Sequence, residues 1–483
     1  MRLSLKFPPK DKEILKSVYN FAKARKVKLY LVGGVLRDLI LGREKENPDF
    51  DFAIKRGAIN FGKRLAKELK AGFVVLDKEH GACRIVKKSK DKIYTLDFTD
   101  FRGVDLQKDL LHRDFTINAI ALELERVFES ADLKDFLIDP YKGQEDLKRK
   151  VIKMVDRIAF REDPLRILRA FSLAAIFGLA IDRETLKAAR SERKKLAKVS
   201  GERIRDELFK IFATQNSYDF LAELDELKIL DIIFPEIKKM RGIGQGPYHH
   251  LDAWQHTLET MKQVEILLKE QKNNQDIRDY LDAVISPDRK RLALVKLGAF
   301  LHDLGKPKAL RHEEDGKTTF HGHERIGLEI TEDIAKRLKL SNDELHALRR
   351  IVLWHLRPGY LADTGKPSAR AKFRYFRDAG NEAISTLLVS IADQRATKGP
   401  LTTAASRAQH ERVVFGLIKE YFHKKKEKKA PRLVNGDDLM AKFKLEPSPL
   451  IGKILSEVEE LQAIGKISTR KEAFEAARKF IKK

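Results

Sequence analysis

The sequence predicts an α+β multidomain protein, a small mixed-sheet unit followed by an all-α remainder, and three observations lead there. Runs of β-branched and aromatic residues punctuated by glycine lie before residue 100. From Val151 onward, apolar residues recur at three- and four-residue spacing, as in Ile167 to Phe177 and Ile204 to Phe212. A chain of 483 residues also asks for about three domains.

Taken in order, a short amphipathic helix is expected around Ile14 to Ala24, then a strand from Lys28 to Val32 that runs into Gly33-Gly34. A helix from Val35 to Leu41 should follow and be closed by Gly42. Strand composition returns at Phe50 to Ile54, Phe73 to Leu76, Arg84 to Lys87 and Ile93 to Phe98, with a helix near Asn60 to Leu69. Glycines and a proline break the chain at Arg241 to Pro247, and a lysine run followed by proline marks a linker at Phe422 to Pro431.

Lys and Arg total 97 against 72 Asp and Glu, a net charge of +25. That excess suits a polyanionic partner, because each phosphate neutralised releases condensed counterions. Abundant Lys and Glu also serve heat-stable proteins as surface ion pairs. The single cysteine, Cys83, excludes an internal disulfide framework and a cysteine-based zinc cluster, and suits a reducing cytoplasm. No segment approaches the ~18 apolar residues that cross a bilayer, so no membrane partner is expected.

The densest chemistry begins at Leu31-Val-Gly-Gly-Val-Leu-Arg-Asp38 and continues at Asp49-Phe-Asp51. Two glycines between a strand and a helix expose backbone N–H groups at a positive helix end, where phosphate binds well. Arg37 is placed to clamp the same phosphates. Asp49 and Asp51, at i and i+2 of a strand, point to one face and can share divalent ions, which would activate a hydroxyl and neutralise a leaving pyrophosphate. Either pattern alone is commonly a turn or a solvated strand end; their order together is far more specific.

In these residues the chain resembles the polymerase-β-like nucleotidyltransferases, in particular the class II tRNA nucleotidyltransferase and bacterial poly(A) polymerase family. The second element of the resemblance is Arg113-Asp-Phe-Thr-Ile-Asn-Ala119, preceded by Asp109-Leu110 and followed by Asp139-Pro-Tyr-Lys-Gly143. The resemblance implies that Arg113 contacts the incoming nucleotide and that Asp114 lies near its sugar. His112 stands where relatives usually have a second Arg. A third metal-site carboxylate is expected on the strand Ile93 to Phe98, Asp97 first and Asp100 behind it. The third element is Arg161-Glu-Asp-Pro-Leu-Arg-Ile-Leu-Arg169. Asp163 and Pro164 would also suit a plain helix start. By resemblance Gly33, Gly34 and Arg37 hold the triphosphate, Asp163 and Arg166 read the base edge of CTP or ATP in place of a template, and Arg169 supports them. Ser172 occupies the next position on that face, often Arg in relatives. Gly201 to Leu208 fits a neck helix.

Farther along come His256, then Phe300-Leu-His-Asp-Leu-Gly-Lys306, then Asp393. Neutral imidazoles and carboxylates on helices suit a divalent cation. His256, His302, Asp303 and Asp393 in this order resemble the HD phosphohydrolases, and His321-Gly-His323-Glu and His355 strengthen the match as further ligands. The implied activity is hydrolysis of a phosphomonoester or a 2′,3′-cyclic phosphate by metal-activated water; the alternative is a silent HD body that holds tRNA. Arg432 to Met440 and the segments at Gly452 and Gly465 resemble the tail of the same tRNA enzymes.

The resemblance implies five parts: an N-terminal helical extension (1–26), a polymerase-β-like head (27–145), a helical neck (146–240), an HD domain (241–425) and an RNA-binding tail (426–483). It implies Mg²⁺ in the head, a divalent metal in the HD domain, tRNA, CTP and ATP as partners, and a cytoplasmic setting. The connection between Phe101-Arg102 and Asp109 is shorter than in CCA-adding relatives, which resembles the CC-adding branch. A poly(A) polymerase, or a non-catalytic RNA-binding protein, are the competing readings.

Overall fold

The computed structural model describes residues 5–89, 92–130, 132–287, 289–314, 317–427 and 431–481. Positions 428–430 of the expected linker lie outside them. The chain divides into two compact units, one of residues 1–211 with 223–233, the other of 212–222 with 234–483.

The first unit opens with helix α1 (Pro9–Lys23). It starts earlier than the apolar periodicity suggests because proline fits the first turn, where no N–H is required. There follow β1 (Leu29–Val32), α2 (Gly34–Ile40), β2 (Asp49–Ile54), α3 (Ala58–Leu69), β3 (Gly72–Asp77), β4 (Ala82–Lys88), β5 (Ile93–Asp100), α4 (Leu106–Leu111) and β6 (Ala121–Glu123). The six strands form one mixed sheet in the order β3-β4-β5-β2-β1-β6. Only β2 and β5 run parallel, and their register sets Asp51 beside Asp97. Strand β6 is unanticipated: three residues are too short to display an alternation.

Alternation along β2 divides the chemistry from the core. Phe50, Phe52 and Ile54 are buried; Phe52 stacks on Phe98 at 4.7 Å and Phe61 of α3 tilts against Phe98 at 5.3 Å. Asp49, Asp51 and Ala53 take the other face, where Ala53 joins Val32, Leu110, Ala119 and Ala121 in a small apolar cluster. Beyond the sheet the unit is mainly helical, with Arg166–Phe177 buried over most of its length and Gly201–Phe212 after it.

The second unit is a helical body. Helices Ala253–Glu270, Arg291–Leu301, His323–Arg337, Asn342–Trp354 and Ala383–Ala396 carry its core. Trp254 packs edge-on against Phe300 at 5.5 Å. Lys296, 1 % exposed, is neutralised by Glu265 at 2.8 Å, as a buried ammonium requires. At the C-terminal end, Leu439, Ile454, Val458, Ala473 and Ala477 close a separate small core.

Candidate functional site: a nucleotide cleft and a histidine cluster

In the first unit, a cavity of about 250 Å³ is lined by Gly33, Gly34, Asp51, Arg113, Asp163 and Arg166, among others. Gly33 takes φ +78°, and a Cβ there would stand 3.2 Å from Arg113 and 3.3 Å from Asp51 Oδ2. A glycine is needed at this position both for the backbone and for the close approach of these two charges. Its N–H, however, donates to the Ile120 carbonyl at 3.2 Å. The Gly33 amide thus ties β1 to the β6 region, while both glycines line the cavity.

Arg37 is turned into the fold in this structure. It is buried, donates to Asp38 Oδ1 at 2.8 and 3.0 Å and to Asn118 Oδ1 at 2.7 Å, and lies over the Phe177 ring. It does not line the cavity; it braces the turn beneath Gly34. Sequence spacing places Arg37 one turn after the glycines but does not decide which side of α2 it takes.

Of the three carboxylates, Asp51 faces the cavity. Burial raises its carboxyl above the usual range; Arg113 opposes the rise, and the nearby Asp97 and Asp49 add to it. Both Asp97 oxygens are engaged by Arg84 at 2.8 Å, while Asp49 is exposed with Lys45 at 3.4 Å. Asp100 is used elsewhere, accepting the Ala58 N–H at 2.7 Å at the start of α3. Hard carboxylate oxygens of this kind fit a divalent cation such as Mg²⁺, which would displace Arg84 from Asp97 and Lys45 from Asp49.

The opposite wall is cationic. Asp114 is buried, and although burial alone would raise its carboxyl, Arg169 at 2.7 Å and the Asn118 amide at 3.0 Å hold it below the usual range. Arg166 donates to the Ala159 carbonyl at 3.3 Å and pairs with Glu162 at 3.5 Å. Asp163 ends the short helix Ile158–Glu162, and the next helix begins at Arg166 rather than at Pro164. Its Oδ2 meets Arg203 at 2.6 Å. His112 pairs with Glu162 at 2.6 Å, and Ser172 hydrogen-bonds Glu207 away from the cleft. Arg203, Arg102 and Asn118 line the cavity without having been singled out; Arg203 had the weakest signal, one arginine in a charged helix.

In the second unit, His256, His302, Asp303 and Asp393 converge as expected. His256 Nε2 lies 2.8 Å from Asp393 Oδ1 and 3.6 Å from Asp303 Oδ2, and His302 Nε2 lies 3.1 Å from that same oxygen. His323 and His355 complete the cluster, with His323 Nε2 at 3.3 Å and His355 Nε2 at 3.9 Å from Asp303 Oδ1. His321 is exposed and only lines the adjoining cavity. Buried Asp303 Oδ2 and His302 Nε2 have no partner in hydrogen-bonding geometry, although Lys306 Nζ stands 2.6 Å from Asp303 Oδ2 as an ion pair. Burial, and then the neighbouring imidazoles, push His355 down to about 3, the neutral form that a cation requires. The cluster opens on a cavity of about 1020 Å³ lined by Lys306, His249, His321 and Tyr360.

Comparison with known proteins covers most of the chain. The Poly A polymerase head domain matches residues 29–153 and the HD domain residues 253–398. A family described as tRNA nucleotidyltransferase domain 2 matches 368–477. An A-adding tRNA nucleotidyltransferase of Deinococcus radiodurans is 30% identical over 92% of this chain and 93% of its own. A CC-adding tRNA nucleotidyltransferase of Synechocystis is 28% identical over 92% and 91%. In fold, the chain is similar to the Thermotoga maritima CCA-adding enzyme solved with tRNA, with TM-score 0.64 and 22% identity over 99% of this chain and 97% of that one.

Proposed function

The chain belongs to the tRNA nucleotidyltransferase family that shares its head with poly(A) polymerases, and from that premise we propose that it adds C, A or both to the 3′ end of tRNA from CTP and ATP with Mg²⁺, without a nucleic-acid template. The observation that carries this reading is one cavity that gathers Asp51, Arg113, Asp163, Arg166 and Arg169, a carboxylate wall facing a base-reading and phosphate-neutralising wall. Asp49, Asp51 and Asp97 would hold Mg²⁺, which supplies charge neutralisation at the reacting phosphate. Arg113 orients the nucleotide, Asp114 positions Arg169, and Asp163 with Arg166 presents donors and acceptors to the base edge. The 3′-hydroxyl oxygen of the RNA bonds to the α-phosphorus, the bond to pyrophosphate breaks, and the hydroxyl proton passes to a carboxylate of the aspartate set. Most of the rate comes from positioning and fixed charge.

A second, narrower reading is CC addition. The link between β5 and α4, residues 101–105, is short and pinned: the Arg102 N–H donates to Asp109 at 3.0 Å and Asp105 caps α4 at 2.8 Å. Among the similar enzymes, both A-adding and CC-adding activities occur. Labelled CTP and ATP, separately and together, offered to tRNAs ending before CCA, after C and after CC, decide it. Addition that stops at CC supports the narrower reading; a single A on the CC-ended tRNA overturns it, a long A tract favours a poly(A) polymerase, and binding without incorporation overturns the enzyme reading.

We further propose that the histidine cluster hydrolyses a phosphomonoester or a 2′,3′-cyclic phosphate. His256, His302, Asp303 and Asp393 would hold a divalent ion, which supplies water activation, while Lys306 neutralises the phosphate. A water oxygen bonds to phosphorus, and the ribose oxygen leaves with a proton. Release of product from a cyclic phosphate, lost in Asp303→Asn with incorporation intact, is the expected result; no release with any of Mg²⁺, Mn²⁺ or Ni²⁺ overturns it. The five-part division of the chain, the RNA-binding tail and a cytoplasmic setting, the last supported by the free, buried Cys83, belong to the same reading. Among the described residues no helix is long and apolar enough to cross a membrane.

A further inference from the structure

The carboxylate of Glu162 is shared among three basic side chains of the nucleotide cleft. Its Oε1 lies 2.6 Å from His112 Nδ1, while its Oε2 lies 3.5 Å from Arg166 Nη1 and 4.0 Å from Arg102 Nη1. His112, Arg166 and Arg102 all line the cavity. Helix α4 ends at His112 and the helix Ile158–Glu162 ends at Glu162, so the contact joins the ends of two separate helices.

One carboxylate cannot serve three cations equally, and whatever draws it toward one loosens its hold on the others. A carboxylate oxygen only accepts, so His112 Nδ1 is the donor in the contact with Glu162. Nε2 is then the nitrogen at which a proton comes and goes, and an imidazole changes charge between about pH 5 and pH 8. The other charges near the ring have different neighbours. Asp109, on α4, accepts the Arg102 N–H at 3.0 Å and lies 3.7 Å from Arg113. Lys108, one turn back on α4, is exposed, and Asp163, next to Glu162, meets Arg203 at 2.6 Å.

We propose that His112 is a positioning residue for the incoming nucleotide: when charged, it draws Glu162 off Arg166, frees that guanidinium for the base, and adds positive charge to a cleft that takes a polyanion. Arg166 keeps the Ala159 carbonyl, at 3.3 Å, as its anchor. The inference rests on reading this cleft as the CTP and ATP site, but not on transfer to RNA.

Dissociation constants for CTP and ATP, measured on the full chain with Mg²⁺ from about pH 5.5 to pH 8, test it with two variants. His112→Gln keeps a neutral donor for Glu162 and His112→Arg carries a permanent cation; circular dichroism checks that both fold. The nucleotide's own phosphate titrates in the same range, but it cancels in the ratio of each variant to wild type. At the acid end wild type should match His112→Arg and bind about five-fold more tightly than His112→Gln; at the alkaline end it should match His112→Gln. A ratio of wild type to His112→Gln that stays constant with pH overturns the proposal, as does a His112→Arg variant that binds like His112→Gln throughout. The expected pH dependence without incorporation would uphold this inference and sink the transferase reading alone, whereas no binding of either nucleotide would sink both.

Discussion

Arg203 Nη2 lies 2.6 Å from Asp163 Oδ2, joining residues far apart in sequence at the mouth of the nucleotide cleft. Because Asp163 is the proposed base reader, Arg203 sets which way its carboxylate points. The pair is half exposed on the arginine side, so its worth is held to about 1 kcal/mol. Arg203→Ala should lower kcat/KM about five-fold and narrow the preference between CTP and ATP. Steady-state rates with each nucleotide check this; unchanged discrimination would remove Arg203 from base selection.

The head should depend on its carboxylates independently of the histidine cluster. Asp51 faces the cleft and carries charge that burial makes costly, so Asp51→Asn and Asp49→Ala should abolish incorporation while hydrolysis by the second unit persists. Parallel assays on one preparation measure both. Loss of both activities in a folded variant would refute two separate sites.

These sites were legible to different depths. Strand β2 and its carboxylates were readable because alternation along a half-buried strand leaves few choices for Asp49 and Asp51. The register that brings Asp97 beside Asp51 was not, since strand pairing is a long-range fact. Arg37 shows the limit from the other side: its spacing after Gly34 is right, but only the fold reveals that Asp38 and Asn118 take its donors. His323 and His355 looked like supporting histidines because nothing in their local sequence says that two separate helices meet at Asp303.

Gly33 is expected to resist substitution. In Gly33→Ala the left-handed backbone costs about 1–2 kcal/mol, and the new methyl lies 3.2 Å from Arg113 and 3.3 Å from Asp51. The variant should melt lower and show a raised KM for nucleotide, since Arg113 must move. Wild-type KM in a folded variant would mean that Arg113 does not contact the nucleotide.

Acid should weaken the Asp114 and Arg169 pairing in a defined direction. The folded Asp114 carboxyl lies below its unfolded value, so its contribution is fully present above the unfolded value of about 4 and is lost as pH falls through the folded one. The stability difference between wild type and Asp114→Asn, from urea unfolding, should be flat from pH 7 down to about 4 and shrink below it. A difference that grows on acidification would reverse the sign and contradict the pairing.

Gly305, in the His302-Asp-Leu-Gly-Lys306 segment, carries the last prediction. A Cβ at this position would collide with the carbonyl oxygen of His323 and stand 2.6 Å from the Gly327 amide nitrogen. Both contacts are backbone, so no side-chain rotation relieves them, and the helix His323–Arg337 must shift away. That shift carries His323 off Asp303 Oδ1, now 3.3 Å away, while His256 stays on the separate helix Ala253–Glu270. Gly305→Ala should therefore weaken Mn²⁺ binding at the histidine cluster, lower the melting temperature, and leave nucleotide incorporation unchanged. Calorimetric titration with Mn²⁺ measures the change, and wild-type affinity in a folded variant would show that His323 takes no part in holding the ion.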